Sequence, residues 1–206
     1  MFVKVCGITS AKDAVAAVDA GVDAIGLVFA DSPRRVPIET AAAIVGSISP
    51  FVRCVGVFQN APPDDVLDVV HRAGLAGVQL HGTYGPDDIA VIRSTVPFVM
   101  WACAAESPDV AIAERWRADA VLIDAARPGS GTAWDWSRFG NPSGVVRVVL
   151  AGGLSADNVG AGIAALRPWG VDASSALEHE PGVKDHELMW RFVAAARAGG
   201  STLTTC

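Results

Sequence analysis

The chain has 206 residues, of which 51% are hydrophobic, and this composition supports one domain with a sizeable core or at most two small ones. A formal net charge of −6 excludes a broad nucleic-acid surface, because phosphate binding of that kind needs clustered Lys and Arg. We expect a soluble cytoplasmic protein with no membrane contact and with free thiols, since no signal peptide, bilayer-spanning run or CxxC spacing occurs.

Short β-rich segments alternate with amphipathic helical segments along the whole chain. The predicted strands cover residues 3–6, 24–29, 52–58, 77–80, 98–103, 120–123, 145–151 and 170–173. The predicted helices cover residues 11–20, 38–47, 63–73, 86–94, 108–116, 134–139, 156–166 and 184–198. This pattern predicts the α/β class and a single-domain (β/α)8 TIM barrel. A doubly wound open sheet is the alternative, but it usually needs a glycine-rich turn after the first strand, where only Gly7 stands.

The domain boundaries follow from the same pattern. The barrel is predicted over residues 1–198, and the small, polar segment 199–206 is predicted to be a flexible C-terminal tail. Ser10 has the position of a helix cap before the first helix. Asp23 and Asp119 each stand just before a strand, and we expect them at the stability end of the barrel.

Cys6 is the last residue of the first predicted strand and precedes the turn Gly7-Ile8-Thr9. In a barrel of parallel strands this position is the C-terminal mouth, where barrel enzymes keep their chemistry. A thiol there can accept a proton, but an ordinary pKa of about 8.5 leaves it mostly protonated at neutral pH, so nearby cations or dipoles must assist. Buried cysteine is also common simply as a small apolar residue.

Asp124 ends the sixth predicted strand, three steps around an eight-stranded ring from Cys6. A partly buried carboxyl at the mouth has a raised pKa and can act as an acid, although a cap or turn residue is an equally simple interpretation. Two groups of different pKa that face each other across a pocket form an acid/base pair for moving a proton from carbon.

Glycine and serine follow the last two predicted strands. Gly152 and Gly153 follow the seventh strand, and Ser174, Ser175 and Ala176 follow the eighth. Barrels often bind phosphate with these two loops through backbone N–H groups, which glycine lets approach closely. Either segment alone fits an ordinary tight turn, but both at the right strands predict a phosphate site.

Three further loop residues are candidates for the substrate pocket. Arg34 follows the second strand, and its guanidinium can bind a carboxylate through two hydrogen bonds, although a lone loop arginine is usually a solvated charge. His81 ends the fourth strand and fits either a substrate donor or a structural hydrogen bond. Gly131 lies in a glycine-rich loop after Asp124 that is suited to closing over a ligand.

Taken together, these residues resemble the phosphoribosylanthranilate isomerases, the barrel enzymes of tryptophan biosynthesis. The resemblance runs in family order from residue 2 to about residue 197, and its specificity lies in the ordered set. The matching stretches are Lys4-Val5-Cys6-Gly7-Ile8-Thr9, Ser32-Pro33-Arg34, Val55-Gly56-Val57-Phe58, Val78-Gln79-Leu80-His81-Gly82, Leu122-Ile123-Asp124, Gly129-Ser130-Gly131 with Trp134-Asp135-Trp136, Leu150-Ala151-Gly152-Gly153-Leu154 with Asn158-Val159, and Pro181-Gly182-Val183-Lys184-Asp185.

The resemblance implies an Amadori rearrangement, without cofactor or metal, of N-(5-phosphoribosyl)anthranilate to 1-(2-carboxyphenylamino)-1-deoxyribulose 5-phosphate. It implies that Asp124 protonates the ribose ring oxygen as general acid and that Cys6 removes the C2 proton as general base. Arg34 would hold the anthranilate carboxylate, and the loops after strands seven and eight would hold the phosphate. The expected partner is this small phosphorylated substrate, and the expected state is a monomer or a homodimer.

One position departs from the family pattern. The family usually has glycine after the two serines of the last strand's loop, and this chain has Ala176. A positive φ at this position would disfavour alanine by roughly 1 kcal/mol or more and shift the loop. Our hypothesis is that Ala176 has an ordinary helical φ, at which alanine is harmless.

Other functions on a barrel fit less well. The histidine-pathway sugar isomerase performs the same rearrangement but resembles a design with two aspartates and two phosphate sites, whereas strand one here ends in Cys6. A non-catalytic barrel that senses a phosphorylated metabolite would need neither the thiol nor the acid. A metal-dependent enzyme is not indicated, because the four histidines are dispersed without ligand spacing.

Overall fold

The structure is a computed structural model that describes residues 1–105, 116–124 and 147–202. The helix predicted over 134–139 lies outside these residues. The helix predicted over 108–116 also lies outside them, except for Trp116. The predicted pocket residue Gly131 also lies outside them.

Eight parallel strands form a closed barrel in chain order, with β8 hydrogen-bonded to β1. The strands are β1 (Phe2–Cys6), β2 (Ala24–Val28), β3 (Arg53–Gln59), β4 (Gly77–His81), β5 (Val99–Ala104), β6 (Ala120–Asp124), β7 (Arg147–Leu150) and β8 (Gly170–Ala173). The described helices are α1 (Ala11–Ala20), α2 (Ile38–Gly46), α3 (Pro63–Ala73), α4 (Pro86–Arg93), α5 (Val159–Leu166) and α6 (His186–Thr202). The predicted (β/α)8 barrel is therefore confirmed.

Local sequence signals explain where several helices begin and end. Ser10 caps α1 by accepting a hydrogen bond from the Asp13 backbone N–H at 3.1 Å, as expected from its position. Helix α5 begins three residues after the predicted position 156, because the Asn158 side chain first closes a turn onto the Ser155 N–H at 2.8 Å. Helix α6 runs on to Thr202, so residues 199–202 of the predicted tail are helical, and residues 203–206 lie outside the described residues. None of the described helices has the length and apolar character needed to cross a bilayer.

Aromatic rings close the N-terminal end of the barrel. Phe2 stacks on Trp169 with 4.5 Å between ring centroids, and the centroid of Phe98 lies 6.3 Å from that of Phe2. Each of these residues is at or next to the start of its strand. These rings pack together at the bottom of the barrel, and barrel enzymes carry their sites at the opposite mouth.

The two aspartates assigned to the stability end have structural partners there. Asp23 accepts a hydrogen bond from the Val3 N–H at 2.7 Å and pairs with Arg197 at 2.8 Å. Asp119 accepts from the Val99 N–H at 2.8 Å, in the same way. Each carboxylate thus satisfies a backbone donor at the start of a neighbouring strand.

A short excursion between β8 and α6 was not predicted. A 3-10 helix, Ser175–Leu177, leads into an antiparallel pair formed by β9 (Glu178–Glu180) and β10 (Val183–Lys184). The helix predicted over 184–198 therefore starts later, at His186. This hairpin carries Glu178 and Lys184 to the mouth of the barrel, where both pair with charged partners.

Candidate active site

The turn after β1 brings three predicted site residues together. Gly7 has a φ of +76°, and its N–H and that of Ile8 both donate to the Gly26 carbonyl at 3.0 Å. A Cβ on Gly7 would lie 2.6 Å from Arg34 Cδ and 2.9 Å from Ser174 Oγ. Glycine is therefore required here twice, for the backbone angle and for the close packing of Arg34 and Ser174 beside Cys6.

Cys6 is nearly buried, with 8% of its surface exposed, and it faces a mixed set of charges. Burial raises the pKa of its thiol above the ordinary value, and the ammonium groups of Lys4 and Lys184 oppose that rise. The Asp172 carboxylate raises the thiol pKa further, but its effect is smaller than the opposing effect of Lys4. Without a ligand, Cys6 is therefore held mainly as a thiol at neutral pH.

Lys4 lies two residues before Cys6 on the same face of β1 and is fully buried. Its Nζ donates to both carboxylate oxygens of Asp172, at 3.0 and 3.1 Å. Burial alone would lower the pKa of Lys4, but Asp172 and the Cys6 side chain outweigh it and raise the pKa above the ordinary value. Lys4 is therefore a permanent cation beside the thiol.

Arg34, the predicted carboxylate-binding residue, is held by Glu178. Its Nε donates to Glu178 Oε1 at 2.8 Å, and its Nη2 donates to Oε2 at 2.7 Å. Lys184 binds the same carboxylate at 2.6 Å and the Ser174 carbonyl at 3.1 Å. Burial raises the pKa of Glu178, but the two cations outweigh it and hold that pKa below the ordinary value. A substrate carboxylate would meet Arg34 through the other edge of the guanidinium, formed by Nη1 and Nη2.

Asp124 and the predicted phosphate loops line one pocket. Asp124 is half-buried at the end of β6. The pocket is formed by Asp124, Asp172 and the segments 151–154 and 173–176. Gly152 and Gly153 have φ values of +87° and +65°, in the left-handed region that glycine adopts without strain. The predicted acid and the predicted anion site are thus neighbours.

The loop after β8 differs in detail from the expectation. The Ser174 hydroxyl donates to the Cys6 carbonyl at 3.0 Å, so it ties this loop to β1 and its proton is not aimed at an anion. Ala176 lies in the 3-10 helix, and the described non-glycine residues with positive φ are Asn60, Arg117 and Arg167. Alanine at 176 is therefore unstrained, as hypothesised.

His81 lies at the end of β4 and contacts a buried amide. Its Nε2 is 2.6 Å from Gln79 Nε2, and the opposite amide atom, Oε1, has no hydrogen-bond partner among the described residues. Burial, with a contribution from Lys4, lowers the pKa of His81 to about 4. His81 is therefore neutral at pH 7. Of the two roles considered for it, a substrate donor or a structural hydrogen bond, the contact with Gln79 is of the structural kind.

Four charged residues of the site received no role from the sequence: Lys4, Asp172, Glu178 and Lys184. Two of them could have been predicted from the alternation of side chains along a strand. Lys4 is two residues from Cys6 and so shares its face of β1, and Asp172 is likewise two residues from Ser174, at the end of β8. The partners of Glu178 and Lys184 depend on the β9–β10 hairpin. Within residues 1–105, 116–124 and 147–202, no group of three His, Cys, Asp or Glu side chains is arranged to hold a metal ion.

Comparisons with known proteins agree with one another. A family model described as N-(5'phosphoribosyl)anthranilate (PRA) isomerase matches residues 3–195. The N-(5'-phosphoribosyl)anthranilate isomerase of Rubrobacter xylanophilus is 45% identical over 203 residues, covering 95% of this chain and 98% of the relative. The crystal structure of phosphoribosyl anthranilate isomerase from Thermus thermophilus matches with a TM-score of 0.88 and 37% identity, covering 96% of this chain and 99% of that one. A phosphoribosyl anthranilate isomerase in complex with reduced 1-(o-carboxyphenylamino)-1-deoxyribulose 5-phosphate matches with a TM-score of 0.84 and 35% identity, with the same coverage.

Proposed function

The chain belongs to the phosphoribosylanthranilate isomerase family of tryptophan biosynthesis, and from this premise we propose that it performs a cofactor-free Amadori rearrangement by general acid/base catalysis. Its substrate is N-(5-phosphoribosyl)anthranilate, and its product is 1-(2-carboxyphenylamino)-1-deoxyribulose 5-phosphate. The observation that carries the proposal is the strand order. Cys6 ends β1 and Asp124 ends β6, with the phosphate loops of β7 and β8 between them around one mouth.

The first step opens the sugar ring. Asp124, as general acid, donates its proton to the ribose ring oxygen while the bond from that oxygen to C1 breaks. The lone pair of the anthranilate nitrogen forms the C=N bond of a protonated Schiff base. The position of Asp124 at the end of β6, in the same pocket as the loops after β7 and β8, supports this role.

The second step moves a proton from carbon. Cys6, as a thiolate, takes the proton from C2, and the electrons of that bond flow to the Schiff-base nitrogen to give an enolamine. The enolamine becomes the ketone when C1 gains a proton and the 2-hydroxyl loses one. The proximity of Lys4 and Lys184 supports the role of Cys6, because both cations favour the thiolate.

The remaining contacts position the substrate. We assign the phosphate to backbone N–H groups of Gly152, Gly153, Ser175 and Ala176, and Ser174 contributes by fixing the loop to Cys6. Arg34 receives the anthranilate carboxylate while Glu178 holds the guanidinium in place. Binding at both ends of the substrate fixes the reacting carbon between acid and base.

Two further assignments, to the wider pocket and to the state in solution, complete the proposal. His81 and Gly131 are assigned to the substrate pocket; His81 is placed at the mouth by β4, and its neutral imidazole suits a hydrogen bond to substrate. A monomer or a homodimer is expected in solution, which light scattering coupled to size-exclusion chromatography distinguishes.

The test is turnover of phosphoribosylanthranilate, followed through the loss of anthranilate fluorescence, in the wild type, Cys6→Ser and Asp124→Asn. We expect fast wild-type turnover and a loss of about 10²-fold or more in kcat for each variant, with product binding retained. Wild-type turnover with either variant fully active would remove that residue from the mechanism. A folded wild type that binds product without turnover would favour the metabolite sensor.

A further inference from the structure

Lys4 is an unusual residue for the interior of a barrel. It is fully buried, and its charge is balanced there by Asp172. Removing two charges from water is expensive, and replacing a buried ion pair by apolar residues is often neutral or stabilising. Stability alone therefore does not account for a lysine at this position.

The geometry ties this cation to the thiol. Besides its two bonds to Asp172, the Lys4 ammonium interacts electrostatically with the Cys6 side chain, which contributes to the raised pKa of Lys4. Both groups occupy space that opens because residue 26 is glycine, since a Cβ there would lie 2.6 Å from Cys6 Sγ and 3.1 Å from Lys4 Nζ. The ammonium thus has one anionic partner at Asp172 and a second, potential one at Cys6.

We propose that Lys4 is a positioning residue for catalysis, which holds the Cys6 thiolate in place and is itself held by Asp172. This inference rests on the proposed role of Cys6 as the base. Lys4 keeps its own proton throughout. The proton from C2 passes to Cys6 Sγ, and the ammonium then returns fully to Asp172.

Other charged groups also face this thiol and set the background for Lys4. Lys184 approaches from β10 and Arg34 from the loop after β2, while Asp124 ends β6 on the rim of the same mouth. Lys184 is already bonded to Glu178 and to the Ser174 carbonyl, and Arg34 is bonded to Glu178. Of the cations near the thiol, Lys4 does most to lower the pKa of Cys6, ahead of Lys184.

The experiment measures the ionisation of Cys6 without substrate. The far-ultraviolet absorbance of the thiolate is titrated in each variant and in the same variant carrying Cys6→Ser, and the difference isolates Cys6 from the other cysteines. Lys4→Met should raise the titration midpoint by about one pH unit or more, because a neighbouring opposite charge is lost. Asp172→Asn should lower the midpoint, because the ammonium is left with the thiolate as its anionic partner.

Kinetic measurements and two controls accompany the titration. Lys4→Met should lower kcat at neutral pH about tenfold or more with a nearly unchanged KM, and raising the pH should recover part of the loss. Lys4→Arg, which keeps the charge, should restore most of the wild-type midpoint. Lys12→Met removes an exposed lysine from α1 and should leave both the midpoint and kcat unchanged.

Opposite shifts in Lys4→Met and Asp172→Asn support the inference, because general disruption of the barrel would move both midpoints the same way. An unchanged midpoint in folded Lys4→Met overturns it. If Lys4→Met does not fold, Asp172→Asn decides, and a midpoint that stays or rises overturns the inference. The titration and the turnover assay can also disagree. If the midpoints shift in opposite directions but the wild type does not turn over phosphoribosylanthranilate, the proposed function is wrong and the coupling of Lys4 to Cys6 still holds.

Discussion

Gly26→Ala is the substitution that tests most directly whether the position of the thiol matters. Gly26 is opposite Cys6 in the register of β1 and β2. A Cβ at this position would lie 2.6 Å from Cys6 Sγ, 3.1 Å from the Cys6 α-carbon and 3.1 Å from Lys4 Nζ. The added methyl group thus displaces the two side chains that the proposed mechanism most needs in place.

The size of the effect follows from these distances. Nonbonded heavy atoms pack best at about 3.5–4.0 Å, so the sulfur must retreat by about 1 Å, and the close approach to the Cys6 backbone cannot relax without moving β1. A displacement of about 1 Å at a reacting group can cost about 10²-fold in rate. Overpacking of this kind also costs typically about 1–3 kcal/mol in the free energy of unfolding. We therefore expect kcat to fall by about 10²-fold while KM stays close to that of the wild type.

The assay is steady-state turnover of phosphoribosylanthranilate, followed by the loss of its fluorescence, with urea unfolding measured in parallel. Gly160→Ala is the matched control, because Gly160 lies in α5 and an added Cβ would meet nothing within 4 Å. The control should keep kcat and KM and gain roughly 0.5–1 kcal/mol in stability. A folded Gly26→Ala enzyme with wild-type kcat would refute the reasoning, since the base would then not be the thiol packed against residue 26.

Three further predictions concern the hairpin and the loop after β8. Glu178→Gln should raise KM about tenfold with little change in kcat, because Arg34 loses its charged partner; a lower KM would contradict the positioning role. The stability that Glu178 contributes should be complete above its ordinary carboxyl pKa and should disappear as the pH falls through its lowered folded pKa, so urea unfolding of the wild type and Glu178→Gln should converge in acid. Ala176→Gly should leave KM unchanged in kinetic assays, because Ala176 has no positive φ to relieve.

The barrel was predictable because each of its eight strands is a short, mostly apolar run between helical or turn signals. Strands buried on both faces read as continuous runs of Val, Ile, Leu and Ala, and the predicted strand positions lie within one or two residues of the observed ones. The β9–β10 hairpin was missed because its strands, Glu178–Glu180 and Val183–Lys184, are charged and two or three residues long. Such strands form where ion pairs hold them, here between Glu178 and Arg34 outside the hairpin and between Glu178 and Lys184 within it.

The site was predictable to the extent that it depends on strand ends. Cys6, Asp124 and the loops after β7 and β8 follow from the rule that the C-terminal ends of parallel strands share one mouth. The pairing of Arg34 with Glu178 did not follow, because the two are far apart in the sequence and meet only through the hairpin. The hydrogen bond of the Ser174 hydroxyl could not be predicted either. A serine hydroxyl in this loop can donate to an anion, but in the structure it donates to the Cys6 carbonyl.

The charges around Cys6 suggest why the proposed acid and base can work in a buried site. Within the described structure, three cations, Lys4, Arg34 and Lys184, surround the thiol with two anions, Asp172 and Glu178. Counting these side chains alone, without the charges of the substrate, one negative charge at either Cys6 or Asp124 balances this set.

Before the reaction, the proposed mechanism needs a thiolate and a protonated Asp124, and after the C2 proton has moved it leaves a thiol and a carboxylate. The net charge of the site is the same in both states, because the acid has given one proton to the substrate and the base has taken one. Since uncompensated buried charge costs several kcal/mol, a site with this balance passes through both states without that cost. The buried cations thus serve the proton transfer as a set, and removal of Lys4 alone should unbalance it in one direction, toward the thiol.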